Sequence, residues 1–445
     1  MYSLKAYIPY YKRNLVVAVP VMLTQLGGAL VGLADSIMVG HYSTTDLAAV
    51  SFANGVFFTF MVFAMGALMG VTPLAGQSCV QKDDNRVSNL LQNGLLFTTL
   101  LIVATCCVLL LCLPFIDSMG QEAGVVVAAR PYLLMRIVGL VPFLYFCFFK
   151  QFLEGLGNTM VAMLITIGAN LLNILLNYVF IFGKLGCPAM GAAGAGLASL
   201  IASVVYSIGI VAVILKREEW AKYFKLFRRA NNDKSVVKEL SKVGFPIGVQ
   251  TTMETVLFTI SFIMVGWINK ETLAAHHIAN QIADLAFMLS LGIGAATTIR
   301  VSHQYGLHDY ASMRMAGRAS VHLVLLMNTI GASVMIGFRN YIPYIFTADE
   351  SVVPIASVLL VYAGVFQYSD GLQCVGAGLL RGITDVKIPM VLAFVAYVVI
   401  ALPLGYLLMF TMGMGVSGMW LSFILALSLA AIGFHVRFWR KAKKM

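Results

Sequence analysis

The sequence predicts an all-α polytopic membrane protein, with twelve transmembrane helices in two pseudo-symmetric six-helix bundles around a central cleft. Three observations predict it. Hydrophobic residues make up 60% of the 445 residues and charged residues 11%, and mean hydropathy is +0.88, whereas soluble domains carry about 25% charge. So little charge cannot cover a water-facing surface. Apolar runs of about 20 residues, the length that crosses a bilayer as a helix, recur along the whole chain. The second half also repeats the first in register.

The runs fall at 15–40, 47–74, 87–113, 124–150, 159–183 and 190–215, then at 243–269, 273–299, 313–338, 352–378, 388–411 and 416–436. They are rich in Leu, Val, Ala, Gly and Met without period-two alternation, which favours helices over barrel strands. Basic residues orient them. The N-terminus, the tail, the stretch 216–242 and the loops on the same side hold 25 of the 30 Lys and Arg; the opposite loops hold only Lys184, Lys270 and Arg339. Cationic loops resist translocation, so both termini are expected in the cytoplasm. Topology thereby accounts for the net charge of +11, and no nucleic-acid partner is needed. The seven cysteines form no CxxC pair, and six lie in or beside apolar runs, so no disulfide framework is expected. The opening MYSLKAYIPYYKRNL has no early apolar region or small-residue cleavage site, so no cleaved signal is expected.

Ile37-Met38-Val39-Gly40 returns as Ile263-Met264-Val265-Gly266, 226 positions later, and Leu47-Ala48-Ala49 and Ala53-Asn54 return at the same offset. Leu153 and Gly155 match Leu380 and Gly382 at 227; Met190-Gly191 matches Met414-Gly415 at 224. Each copy has an even number of spans, so both share one orientation, as in transporters built from parallel repeats. The domains read as a six-helix bundle at 1–215, a basic cytoplasmic linker at 216–242, and a second bundle with a basic tail at 243–445. Within the linker, Trp220, Tyr223, Phe224 and Phe227 share a helical face, with Lys222, Lys225, Arg228 and Arg229 among and after them. This is either an interfacial amphipathic helix or a solvated basic loop.

Four carboxylates fall inside predicted spans: Asp35, Glu254, Asp284 and Asp370. A charge at the bilayer centre costs about 2.5–3.5 kcal/mol even on lenient scales, so such acids turn inward. There a proton, Na+ or an organic cation competes to neutralise them, which is the physical basis of antiport. Asp35 pairs in the repeat with Ser261, so the fold itself does not require the acid. Asn170, Asn173 and Asn177 interrupt the fifth span, and the last two are i, i+4 neighbours. They either build a carboxylate–amide site with Asp35 or act as interhelical glue. Glu254 and Asp370 form the expected acid pair of the second bundle, the latter near Gln367, Tyr368 and Gln373. Asp284 either lines the cleft or pairs structurally, and Arg136 has no assigned role. The adjacent His276 and His277 cannot face one metal on a helix. Met and aromatic side chains lining a cleft would suit varied cationic guests. No P-loop, HExxH or GxSxG occurs, so neither ATP-driven transport nor an enzyme is expected.

The segments LADSIMVG and DLAAVS, FLEGLGNTM, NILLNYVFIFG with MGAAGAGLA, and SDGLQCVGAGLLRG resemble the multidrug and toxic compound extrusion (MATE) family from about residue 15 to 430. The NorM-like branch fits best, since it carries a Glu in span 7 and an Asp in span 10, matched by Glu254 and Asp370. The family's span 1 Asp is matched by Asp35. The resemblance implies a V-shaped antiporter, without cofactor, that exports cationic or amphipathic drugs and dyes in exchange for Na+ or H+ as a monomer among membrane lipids. It implies cation coupling at Glu254 and Asp370. It also implies proton, sodium or drug binding at Asp35, Asn173 and Asn177. Na+ is thus a candidate at Glu254 and Asp370 or at Asp35 and Asn177, with Asp284, Tyr368, Phe366 and Gln367 as further ligand candidates. The chain departs from the family pattern at Phe366, where relatives often have Tyr, and at Ala275-His276-His277, where they read AHQ. The alternative, a flippase of related fold for lipid-linked precursors, would favour a cationic cleft, whereas this chain offers acids.

Overall fold

The structure, a computed structural model, describes residues 4–119, 122–227 and 233–445. Among these residues there is no strand, and twelve helical stretches are long and apolar enough to cross a membrane. They are α1 (Ile8–Tyr42), α2 with α3 (Thr44–Leu68, Val71–Val80), α4 (Asp84–Cys112), α5 (Ala123–Gly155), α6 (Met160–Phe182) and α7 (Gly191–Lys216). After the short α8 (Glu218–Lys225) come α9 (Lys234–Gly266), α10 (Lys270–Gly306), α11 (Tyr310–Gly337) and α12 (Val353–Gly382). The last two spans are α13 and α14 (Lys387–Phe394, Leu402–Tyr406), joined and followed by π-helical turns at Val395–Ala401 and Leu407–Thr411, and α15 (Val416–Lys444). Each expected span has its helix. Several run beyond the apolar core into charged residues, because a helix ends where a turn or cap stops it, not where hydropathy falls.

The turns carry the repeat further than the apolar residues do. Ser43 caps α2 through the Asp46 amide at 3.3 Å, and its counterpart Asn269 caps α10 through Thr272 at 2.7 Å. Lys82 and His308, again 226 apart, both take the left-handed conformation at φ 58°. Each is followed by an aspartate, Asp83 or Asp309, whose carboxylate accepts from the third amide onward at 2.9 and 3.0 Å. Such caps are worth about 1 kcal/mol each.

The helices divide into two compact units, Leu26–Gly248 and Met1–Gln25 with Val249–Met445. The division falls inside α1 and α9 and not at the linker, so the contiguous halves exchange the first parts of these two helices. The exchange has specific contacts. Asn14 on α1 is buried and donates to Ser320 Oγ at 2.9 Å and to the Ala316 carbonyl at 3.1 Å, both on α11. Gly248 on α9 lies so close to α2 that a Cβ there would stand 2.7 Å from the Phe63 carbonyl oxygen. Close backbone approach of this kind holds helices together where lipid supplies no hydrophobic drive.

The linker aromatics Trp220, Tyr223 and Phe224 lie on α8, and their face is spent on protein. Trp220 and Tyr223 are buried; the Tyr223 carbonyl accepts from Ser88 Oγ at 2.7 Å and its ring meets Phe152 edge-on at 6.1 Å. Lys222 Nζ binds Asp84 at 2.6 Å. Arg228 and Arg229 lie outside the described residues. All seven cysteines are free thiols.

Candidate cation-binding clusters

The intramembrane acids gather into one cluster in each unit. In the unit Leu26–Gly248, Asp35 on α1 is half-buried, and Asn173 and Asn177 on α6 are buried. The i, i+4 spacing stacks the two amides, and Asn177 Nδ2 donates both to Asp35 Oδ1 and, at 3.1 Å, to Asn173 Oδ1. Asn177 is fully buried, and its Oδ1 has no hydrogen-bond partner among the described residues. Two turns back, Asn170 accepts from the Tyr206 hydroxyl. Arg136 on α5, with no role assigned from sequence, stacks over Phe57 at 4.6 Å and supplies the opposing charge felt at Asp35. This cluster is largely self-compensated: one carboxylate, an amide donor and a nearby guanidinium.

The second cluster is of another kind. Glu254 on α9 is half-buried and accepts from Gln373 Nε2 on α12 at 3.3 Å. One turn before Gln373, Asp370 is 1% exposed. Its Oδ2, Gln373 Oε1 and the fully buried Tyr397 hydroxyl all lack hydrogen-bond partners among the described residues. The charges felt at Asp370 are like charges, Glu254 first and Asp284 second. Tyr397 lies in the π-helical turn of the eleventh span, and such turns occur often at functional sites. A buried carboxylate oxygen without a donor costs several kcal/mol unless something neutralises it. The two carboxylates and the Gln373 amide oxygen are hard donors of the kind that suits a hard cation or a proton, while the buried Arg381 supplies an opposing charge at Glu254.

The remaining candidates part company. Asp284 on α10 is exposed and meets the cluster only through its field. Phe366 is packed edge-on against Trp420 at 5.7 Å and among Phe258 and Phe423. Gln367 is buried and ties helices, Nε2 donating to the Ala283 carbonyl at 3.3 Å and its backbone carbonyl accepting from Asn328 at 2.6 Å, while its Oε1 has no hydrogen-bond partner among the described residues. Tyr368 turns to α11, where its hydroxyl donates to Thr329 at 3.1 Å. Gln373, a neighbour of Asp370 in the sequence, stands at i+3 on the same face. Tyr397 carried no such signal, being one aromatic in an apolar run. His276 is buried, with Trp420 Nε1 donating to its Nδ1 at 3.1 Å and Ser261 Oγ 3.3 Å from its Nε2, so it ties α9, α10 and α15 together.

A family model described as MatE matches residues 20–179 and again 246–407, the two copies starting at the repeat offset. The chain belongs to the MatE family. It is 32% identical over 441 residues to a "Probable multidrug resistance protein NorM" of Rhizobium meliloti (strain 1021), covering 98% of this chain and 94% of that one. It is also 32% identical over 437 residues to the "Multidrug resistance protein MdtK" of Pectobacterium atrosepticum, covering 96% and 95%. Among solved structures, the eukaryotic MATE transporter AtDTX14 superposes with a TM-score of 0.86 at 17% identity, covering 98% of both chains. An outward-facing MATE transporter of the MOP superfamily gives 0.86 at 22% over 98% and 97%. At these identities the structures establish the fold alone. As a member of a transporter family, the chain is not an enzyme.

Proposed function

We propose that this MatE-family chain is a secondary active multidrug efflux transporter, exporting cationic or amphipathic compounds in exchange for Na+ or H+ by alternating access. One observation carries the coupling: a fully buried Asp370 with an unpartnered oxygen, set beside Glu254 in a membrane-spanning helix. An acid pair so placed takes up a proton or Na+ from the side with the higher chemical potential. A cationic compound and the coupling ion cannot both neutralise the same charge, so each displaces the other. Asp35, Asn173 and Asn177 are the companion site for drug or ion, held ready by their mutual hydrogen bonds. The names of the relatives support drug export, and the excess of Lys and Arg on one side supports a plasma-membrane protein with both termini cytoplasmic. A precursor flippase is not favoured, because both clusters are built on acids.

Export of ethidium from reconstituted vesicles, driven first by a Na+ gradient and then by a pH gradient, tests this reading and identifies the ion. Glu254→Gln and Asp370→Asn are each expected to lower gradient-driven export by about 100-fold, the upper range of a coupling free energy. Wild-type rates in both variants would remove the assigned coupling site.

A further inference from the structure

Apart from the acid clusters, α11, α12 and α15 enclose a groove of about 450 Å³ in a single unit. Its walls include Val321, Leu372, Ala431 and Ile432, and no carboxylate among the described residues lines it. One end is basic and aromatic. The Arg318 guanidinium lies 5.6 Å from the centre of the Trp439 ring, and His322 Nδ1 is 2.8 Å from the Tyr11 hydroxyl. That contact occupies Nδ1, and in the tautomer that accepts from the hydroxyl, or in the charged ring, Nε2 is a donor matched to an anion. Deeper in, the polar groups are matched among themselves: Ser369 with Ser428 at 2.7 Å, and His435 Nε2 with the Leu372 carbonyl at 3.0 Å.

These features select an occupant by charge and shape. An organic cation meets no countercharge. An anion without a tail meets a basic mouth but gains nothing from the apolar walls. An amphiphile with an anionic head and an acyl chain matches both parts, and the groove volume is comparable with that of one such chain. With the orientation proposed above, the mouth lies at the cytoplasmic ends of α11 and α15 and the walls run towards mid-membrane. Trp439 then sits at headgroup depth, where indoles concentrate. We infer that this groove binds one anionic phospholipid of the cytoplasmic leaflet, its phosphate on Arg318 and His322 and an acyl chain along Leu372 and Ile432. The inference uses the membrane orientation but not the efflux reading.

Native mass spectrometry of the full chain in detergent, with phosphatidylglycerol and phosphatidylcholine offered together, tests it without any transport step. One phosphatidylglycerol per chain is expected to be retained in preference to phosphatidylcholine. Arg318→Ala should reduce that retention about fivefold, the worth of one basic residue at an anionic surface, and Arg318→Lys should keep most of it. Ile432→Trp, which fills the groove from an exposed position, should reduce retention with an unchanged melting temperature. Glycerol 3-phosphate and ethidium should not displace the lipid. Equal retention of the two lipids, indifference to Arg318→Ala, or displacement by either small molecule would overturn the assignment.

Discussion

The two acid clusters occupy two copies of one repeat and solve the same problem differently. In the first, Asp35 is met by the Asn177 amide and the field of Arg136. In the second, Asp370 is fully buried, has an oxygen without a donor, and feels like charges. At the position equivalent to Asp35 the second copy has Ser261, hydrogen-bonded into the His276–Trp420 tie. The difference teaches that repeat symmetry fixes where helices go and leaves electrostatic roles free to diverge. A compensated acid is poised to hold a guest with little change, whereas an uncompensated one needs a cation to be stable, and that need is what a coupling site requires.

Substitutions can break this comparison. The largest expected effect is the roughly 100-fold loss of gradient-driven export in Asp370→Asn; Asp35→Asn should cost only about tenfold, read as weaker ethidium binding by equilibrium dialysis. Losses of equal size and kind in both variants would mean that the clusters are not specialised. Next, Asn177→Leu leaves Asp35 without its donor, and a loss of about 2 kcal/mol in stability is expected from thermal melting.

A pH measurement sharpens the contrast at the turns that follow α5 and α12. Asp385 follows α12 where its repeat partner in the first copy is the uncharged Asn158. Burial would raise the Asp385 carboxyl, but Arg437 at 2.6 Å and Lys441 at 2.8 Å hold it below its ordinary value. A lowered folded value means that the stabilisation is complete above the unfolded carboxylate value, near 3.9, and is lost as pH falls through the folded one. Asp385→Asn is therefore expected to lower stability at neutral pH by about 2 kcal/mol and to flatten the acid limb of a melting-temperature profile; an unchanged limb would exclude this network from it. The smallest effect is expected from Trp420→Phe, which removes one hydrogen bond to His276 at about 1 kcal/mol. Its export should stay near wild type, and a large loss there would move His276 from packing into the transport site.

The sequence by itself determined the number and order of the spans, their helical state, the repeat and the identity of the intramembrane acids. Those properties live in runs of hydropathy, in charge placement and in spacing, all readable along one dimension. The i, i+4 spacing put Asn173 and Asn177 on one face and offered either a site with Asp35 or interhelical glue; only packing set the Asn177 amide on Asp35. The tertiary structure alone decided that α1 and α9 begin in one unit and finish in the other, because Asn14 and Gly248 take partners far along the chain. It alone packed Phe366 among aromatic rings, turned Tyr368 towards α11 and buried the Tyr397 hydroxyl. Whether a buried oxygen has a donor depends on which face of a neighbouring helix meets it. That is a matter of packing, and no local pattern encodes it.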